Sequence, residues 1–131
     1  MHRGFALGWA LVLVLTLAGC AERITGEDVY VFPDFVSEIA VHGYGMGRMT
    51  SCVLREEEDI LPVLRWYEAL ELQPMDAAPE AAEGNQAWEF TVNGEAAFTY
   101  DAQGEEAYLV IGDKTYRVRN PGQPPVECPE L

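Results

Sequence analysis

Between Ala87 and Arg119 the chain carries four short strand-like runs: Ala87 to Val92, which alternates Trp88, Phe90 and Val92 with Glu89 and Thr91, then Ala96 to Tyr100, Ala107 to Ile111 and Lys114 to Arg119. Each run ends at a turn signal: Asn93-Gly94, then Asp101 to Gly104, then Gly112-Asp113, with Asn120-Pro121-Gly122 as the final stop. A period of two marks a half-buried strand, and Asn-Gly between such runs is the strongest short hairpin signal. Parallel neighbours need a crossover of roughly a dozen residues or more, so turns this short admit only antiparallel pairing. The C-terminal half therefore predicts a four-stranded antiparallel meander.

Upstream, Phe35, Ser37, Ile39 and Val41 alternate with Val36, Glu38, Ala40 and His42. Gly43-Tyr44-Gly45-Met46-Gly47-Arg48 follows, and Met49 to Leu54 reads as the return strand. A phosphate-cradling glycine loop should run from a strand into a helix, whereas this one leads to another strand, so a hairpin is expected. Glu56 to Asp59 then precede a stripe at Ile60, Val63, Leu64, Tyr67 and Leu70. That spacing is helical, and carboxylates suit the positive end of the helix dipole. Pro62 is tolerable only near the first turn, so the helix is placed from about Asp59 to about Leu72, with Trp66 capping the core beside the stripe. Gln73 to Gln86 reads as loop. The expected fold is α+β: a single antiparallel sheet, made of a two-strand hairpin, one helix and a four-strand meander, with the helix packed on one face.

The N-terminus carries a different signal. Met1-His2-Arg3 is a short positive head, Phe5 to Ala18 is almost wholly apolar, and Leu17-Ala18-Gly19-Cys20 ends the run. This is the layout of a secretory signal peptide, and its last four residues resemble the lipobox of bacterial lipoproteins. The run is shorter than the roughly 20 residues of a membrane span and is broken by glycines. The resemblance implies cleavage before Cys20, a diacylglycerol on its thiol and acylation of the new N-terminus. Each buried methylene contributes about 0.8 kcal/mol, so two or three chains anchor a protein almost permanently. The expected organisation is a signal peptide over 1–19, a tether over 20–34, a small domain over 35–120 and a proline-rich tail over 121–131. Within the tether, Val29 to Phe32 is apolar enough to dock on the domain. The expected location is the cell membrane, facing outside the cytoplasm. By the same lipoprotein resemblance, Ala21 in place of an inner-membrane retention aspartate implies that a host with two membranes would carry the protein on the outer one, and a host with one membrane on its outer face.

Loss of residues 1–19 removes one of eight basic residues and none of the twenty-two acidic ones, leaving a net charge of −15. Such a surface repels nucleic acid, whose phosphates need Lys and Arg. It favours solubility and, as a partner, a basic envelope protein. With Cys20 lipidated, Cys52 and Cys128 remain, an even pair in an exported chain that either forms a disulfide or stays as two thiols. Two cysteines and the single remaining histidine, His42, do not make a tetrahedral zinc site, and neither cofactor nor metal is expected.

Candidate sites are few. Tyr100, Tyr108 and Tyr116 on successive strands could form a binding face, although half-buried strand positions favour such residues anyway. His42 lies near Ser37, Thr50 and Ser51, but a nucleophile needs an adjacent base and a third group to orient it. Asp101 to Glu106 and Glu56 to Asp59 are read as a polar hairpin loop and a solvated helix start rather than calcium sites. Phe98-Thr99-Tyr100, Ala107-Tyr108-Leu109 and Lys114-Thr115-Tyr116 are similar to the meander of small envelope lysozyme-inhibitor lipoproteins. That resemblance implies an acidic, lipid-anchored plug for a basic muramidase, yet the serine-glycine loop followed by a tyrosine is absent from this chain. The function expected is a non-enzymatic, membrane-anchored binding or interaction module. The alternative is an acidic inhibitor of a basic cell-wall hydrolase, and a carboxylate-based hydrolase ranks third.

Overall fold

The computed structural model describes residues 24–76 and 85–131. In chain order the elements are β1 (Ile24–Thr25), α1 (Gly26–Val29), β2 (Ile39–Gly45), β3 (Arg48–Leu54), α2 (Glu57–Glu68), β4 (Glu71–Met75), β5 (Gln86–Val92), β6 (Glu95–Gln103), β7 (Glu106–Ile111) and β8 (Lys114–Val118). The strands form one antiparallel sheet in the order β1-β4-β8-β7-β6-β5-β2-β3. The antiparallel sheet that the turn spacing demands is present. It differs in detail from the expectation, with two further strands, β1 and β4, and a second helix of one turn. Cys20 and the whole export segment lie outside the described residues, as do residues 77–84 of the expected loop.

Two-residue turns hold the hairpins in register. Met46 (φ 55°) with Gly47 (φ 75°), and Asn93 (φ 51°) with Gly94 (φ 85°), carry positive φ at both central positions, the twist that matches antiparallel strands. Register slips by one residue between Phe90 and Thr91, where Ala97 is the extra residue of a bulge.

Helix α2 connects β3 at one edge to β4 near the other, so it crosses a single face of the sheet. It buries Ile60, Val63 and Tyr67 over Ile39, Val41, Phe90, Phe98, Tyr100 and Leu109. The contact is rich in aromatic rings: Tyr67 stacks on Phe98 at 4.5 Å, Phe90 on Phe98 at 4.7 Å, and Trp66 meets Tyr100 edge-on at 5.0 Å. Offset and edge-on pairs of this kind add to the area they bury. The helix starts two residues before Asp59 and stops at Glu68, short of Leu72. Asn120 accounts for the early stop: its Nδ2 donates to the Ala69 carbonyl and its Oδ1 accepts from the Glu71 N–H, each at 2.8 Å. The chain leaves the helix extended, and Leu70 and Leu72 bury on the same core as strand-side residues.

The expected tether is shorter than its sequence suggests. From Ile24 onward the chain belongs to the fold: β1 pairs with β4, and Tyr30 and Phe32 pack edge-on against Tyr67 and Phe98. The apolar run that interrupts the polar lead-in therefore closes one end of the core. The tail is likewise fastened. Pro124 is buried, Val126 and Cys128 pack on the core's margin, and Glu130 bridges to Thr50 on the β3 edge.

Candidate functional site

The two faces of the sheet separate the residues singled out from sequence. Tyr100 pairs with Leu109, and Leu109 with Tyr116, so Tyr100 and Tyr116 point to the helix-covered face. Tyr108 pairs with Asp101 and Arg117 and points the other way. Tyr100 is 1 % exposed and Tyr108 6 %. The expected tyrosine face is thus not assembled: a one-residue difference in register sends a strand side chain to the opposite face. Tyr100 serves packing, and its hydroxyl accepts the Gly122 N–H at 3.1 Å, holding the start of the tail. Burial raises its pKa, because the ionised form loses its water.

Cys52 and Cys128 are joined, with Cα atoms 5.1 Å apart. The bond brings the tail beside β3, where the Ser51 N–H donates to the Pro129 carbonyl at 3.3 Å and the Leu131 N–H to the Met49 carbonyl at 2.8 Å. The tail thereby covers part of an edge strand that would otherwise present unpaired backbone groups.

On the outer face, Ser51 Oγ and His42 Nδ1 are 3.1 Å apart. Glu89 stands opposite His42 on β5, giving a Ser-His-Glu row across three strands. Glu89 Oε1, however, accepts from the Tyr44 hydroxyl at 3.0 Å, so it does not hold the imidazole. The row lacks the orienting bond that turns a serine–histidine contact into an activated nucleophile. Ser37 is elsewhere, with its N–H and hydroxyl both donating to Asn93 Oδ1. Among the described residues no three of His, Cys, Asp and Glu converge as a metal site.

A cleft of about 470 Å³ opens on the other face, beyond the reach of α2, at the β2–β3 hairpin. Its floor comes from Gly43, Thr50, Trp88 and Gln86, its rim from Met46 and Arg48, and its wall from the tail at Val126, Glu127 and Cys128. Gly43 lies opposite both Thr50 and Trp88 in the ladders. A Cβ at Gly43 would stand 2.4 Å from Thr50 Oγ1 and 3.4 Å from Trp88 Cδ1, so the missing side chain lets a hydroxyl and an indole edge close over the backbone. Gly45 has φ 143° and would meet the Asn85 carbonyl at 2.0 Å, which leaves no room for any other residue. The side chains of Thr50, Gln86 and Trp88 make no hydrogen bond among the described residues. Arg48 reaches Glu130 only at 4.0 Å, with both side chains mostly exposed.

No known family, curated protein or solved structure matches this chain.

The cleft is not legible in sequence as a site. Alternate glycines at the end of a strand predict a turn; they are also a mark of close approach by neighbouring groups. Trp88 is one apolar member of an alternating strand. What joins them is register together with the return of the tail, and both are long-range.

Proposed function

We propose that this chain is a membrane-anchored envelope lipoprotein, held through lipid on Cys20, that acts as a non-enzymatic binding module with its seat in the Trp88 cleft. The observation that carries the proposal is the set of unengaged polar side chains around Gly43. Ligand sites are concave and combine apolar surface with a few converging polar groups, and the folded core leaves those groups unspent. In sequence Cys20 precedes β1, the strand at the opposite end of the strand order from the β2 and β3 of the cleft. No helix among the described residues is long and apolar enough to cross a membrane.

The test is cosedimentation of the purified, lipidated full chain with insoluble envelope material. Wild-type protein should pellet with it, and Trp88→Phe combined with Arg48→Ala should stay in solution with an unchanged far-UV spectrum. Equal pelleting of both would remove the cleft from the proposal.

A second reading, an acidic inhibitor of a basic cell-wall hydrolase, draws on the hairpin tip. Met46 is 68 % exposed and Met49 61 %, with Tyr44 opposite Met49, an apolar prow on a strongly acidic body. It requires stoichiometric inhibition of a basic muramidase that weakens as salt rises. Full muramidase activity at low salt in the presence of excess protein would eliminate it.

A further inference from the structure

We infer that the Trp88 cleft takes a neutral, hydroxyl-rich sugar ring of an extracellular glycan; this rests on the binding-module proposal and names the ligand class of the same site. Three observations select that chemistry.

The first is the balance of donors and acceptors. Thr50 offers a hydroxyl, Gln86 an amide, Trp88 an indole N–H and Arg48 a guanidinium, while Glu127 in the wall brings a carboxylate acceptor. A sugar hydroxyl both donates and accepts, so one ring can engage both kinds of group. Gly43 concentrates the donors, because the Thr50 hydroxyl and the indole edge occupy the space its side chain would fill.

The second is the mixed lining. Met46, Val126 and the indole carbons supply apolar surface beside those donors. A pyranose is amphipathic in the same way, with C–H faces and hydroxyl edges. A peptide strand is less well served. It binds by adding to a sheet edge, and this cleft lies on a sheet face, where the backbone of Gly43 is paired on both sides. The neighbouring β3 edge is partly taken by the tail.

The third is charge. The chain carries a net −14, and the cleft lining holds one cation, Arg48, and one carboxylate, Glu127, with Glu130 4.0 Å from Arg48. A polyanionic glycan or a phosphate polymer would meet the repulsion of the whole body with a single exposed arginine to offset it. A neutral ring meets none.

The experiment uses ¹⁵N-labelled, lipidated full chain in zwitterionic micelles, titrated with chitotetraose as the neutral probe and tetragalacturonate as the anionic one. Chitotetraose should shift the Trp88 indole N–H and the Gly43 and Thr50 amides in a saturable, fast-exchange manner, with tetragalacturonate at least about tenfold weaker. Trp88→Phe keeps a ring but removes the N–H and should weaken chitotetraose binding about fivefold or more. Gln86→Ala, at the floor's margin, provides the same readout if the Trp88 variant fails to fold. Absence of saturable shifts with chitotetraose, or equal shifts with tetragalacturonate, overturns the neutral-sugar assignment. If cosedimentation with envelope material then still depends on Trp88 and Arg48, the binding-module proposal survives with another ligand class; if it does not, both fall.

Discussion

The Tyr67 hydroxyl donates to the Gly26 carbonyl across 2.8 Å, tying the buried face of α2 to the one-turn helix at the start of the described chain. The same carbonyl accepts the Tyr30 N–H at 3.0 Å, so a single acceptor serves two donors. A Cβ at Gly26 would stand 2.3 Å from the Tyr67 carbonyl oxygen and 2.8 Å from its ring. Tyr67→Phe should therefore cost about 1 kcal/mol, since the carbonyl keeps its second partner. Gly26→Ala should cost more, about 1–3 kcal/mol, because the helix and the lead-in must separate. Urea denaturation of the two variants checks the order; a Gly26→Ala protein as stable as wild type would show that the lead-in is not docked.

Alkaline pH should destabilise the fold through the same residue. Burial raises the Tyr67 pKa first, with smaller contributions from Tyr30 and Tyr116, and Tyr100 is raised by burial as well. In the unfolded chain these phenols ionise near the ordinary value of 10, while the folded protein keeps them protonated. Above that value the unfolded state binds fewer protons, so stability falls as pH rises. Their contribution is fully present below about pH 10 and is lost towards the raised folded-state values. Thermal midpoints should be flat with respect to these tyrosines from pH 7 to about 9 and decline above 10, and Tyr67→Phe should decline less steeply. A Tyr67→Phe profile parallel to wild type above pH 10 would contradict this.

The Cys52–Cys128 bond closes a sequence separation of 76 residues. On the chain-entropy relation that is worth about 4–5 kcal/mol, less any strain. The paired Cys52→Ala, Cys128→Ala variant should lose most of this in urea denaturation, and amide exchange should rise first along residues 126–131. Unchanged protection of the Leu131 N–H would show that the backbone bonds to β3 suffice to hold the tail.

Asn93 does two jobs. It occupies the positive-φ turn position that its sequence signals, and its side chain clasps the chain entering β2. Oδ1 accepts from the Ser37 N–H at 2.8 Å and the Ser37 hydroxyl at 2.9 Å, and Nδ2 donates to the Phe35 carbonyl at 2.8 Å. Asn93→Gly keeps the turn and loses the clasp, for about 1–3 kcal/mol. Asn93→Ala adds the strain of a left-handed backbone, about 1 kcal/mol more. If the two substitutions prove equally costly, the clasp carries the whole effect and the turn none.

The clasp illustrates which parts of the fold the sequence exposes. Turn chemistry and period-two patterning are local, so the meander, the β2–β3 hairpin and the α2 stripe are legible. Strand β4 was hidden because Leu70 continues the helical stripe from Tyr67, and Pro74 argues against a strand. Among the described residues β1 pairs with Glu71 and Leu72, while Pro74 stands opposite Tyr116 on β8. The passage from helix to strand around Leu70 is bridged by Asn120, which bonds Ala69 and Glu71 on either side of it from about fifty residues away. The tyrosine face failed for a related reason: the spacing of Tyr100, Tyr108 and Tyr116 was visible, but the face of each depends on register across two hairpins. The cleft is the extreme case, because its wall is the tail, brought back by the bond to Cys52.

Membrane attachment at Cys20 is tested most directly by the intact mass of the protein purified from the envelope of cells that express it. Wild-type protein should begin at Cys20 with a diacylglycerol and an added acyl chain, and Cys20→Ser should accumulate as an unlipidated precursor that keeps residues 1–19. A wild-type mass that retains Met1 and carries no lipid, in protein recovered from the cytosol, would contradict the anchored binding module at its foundation.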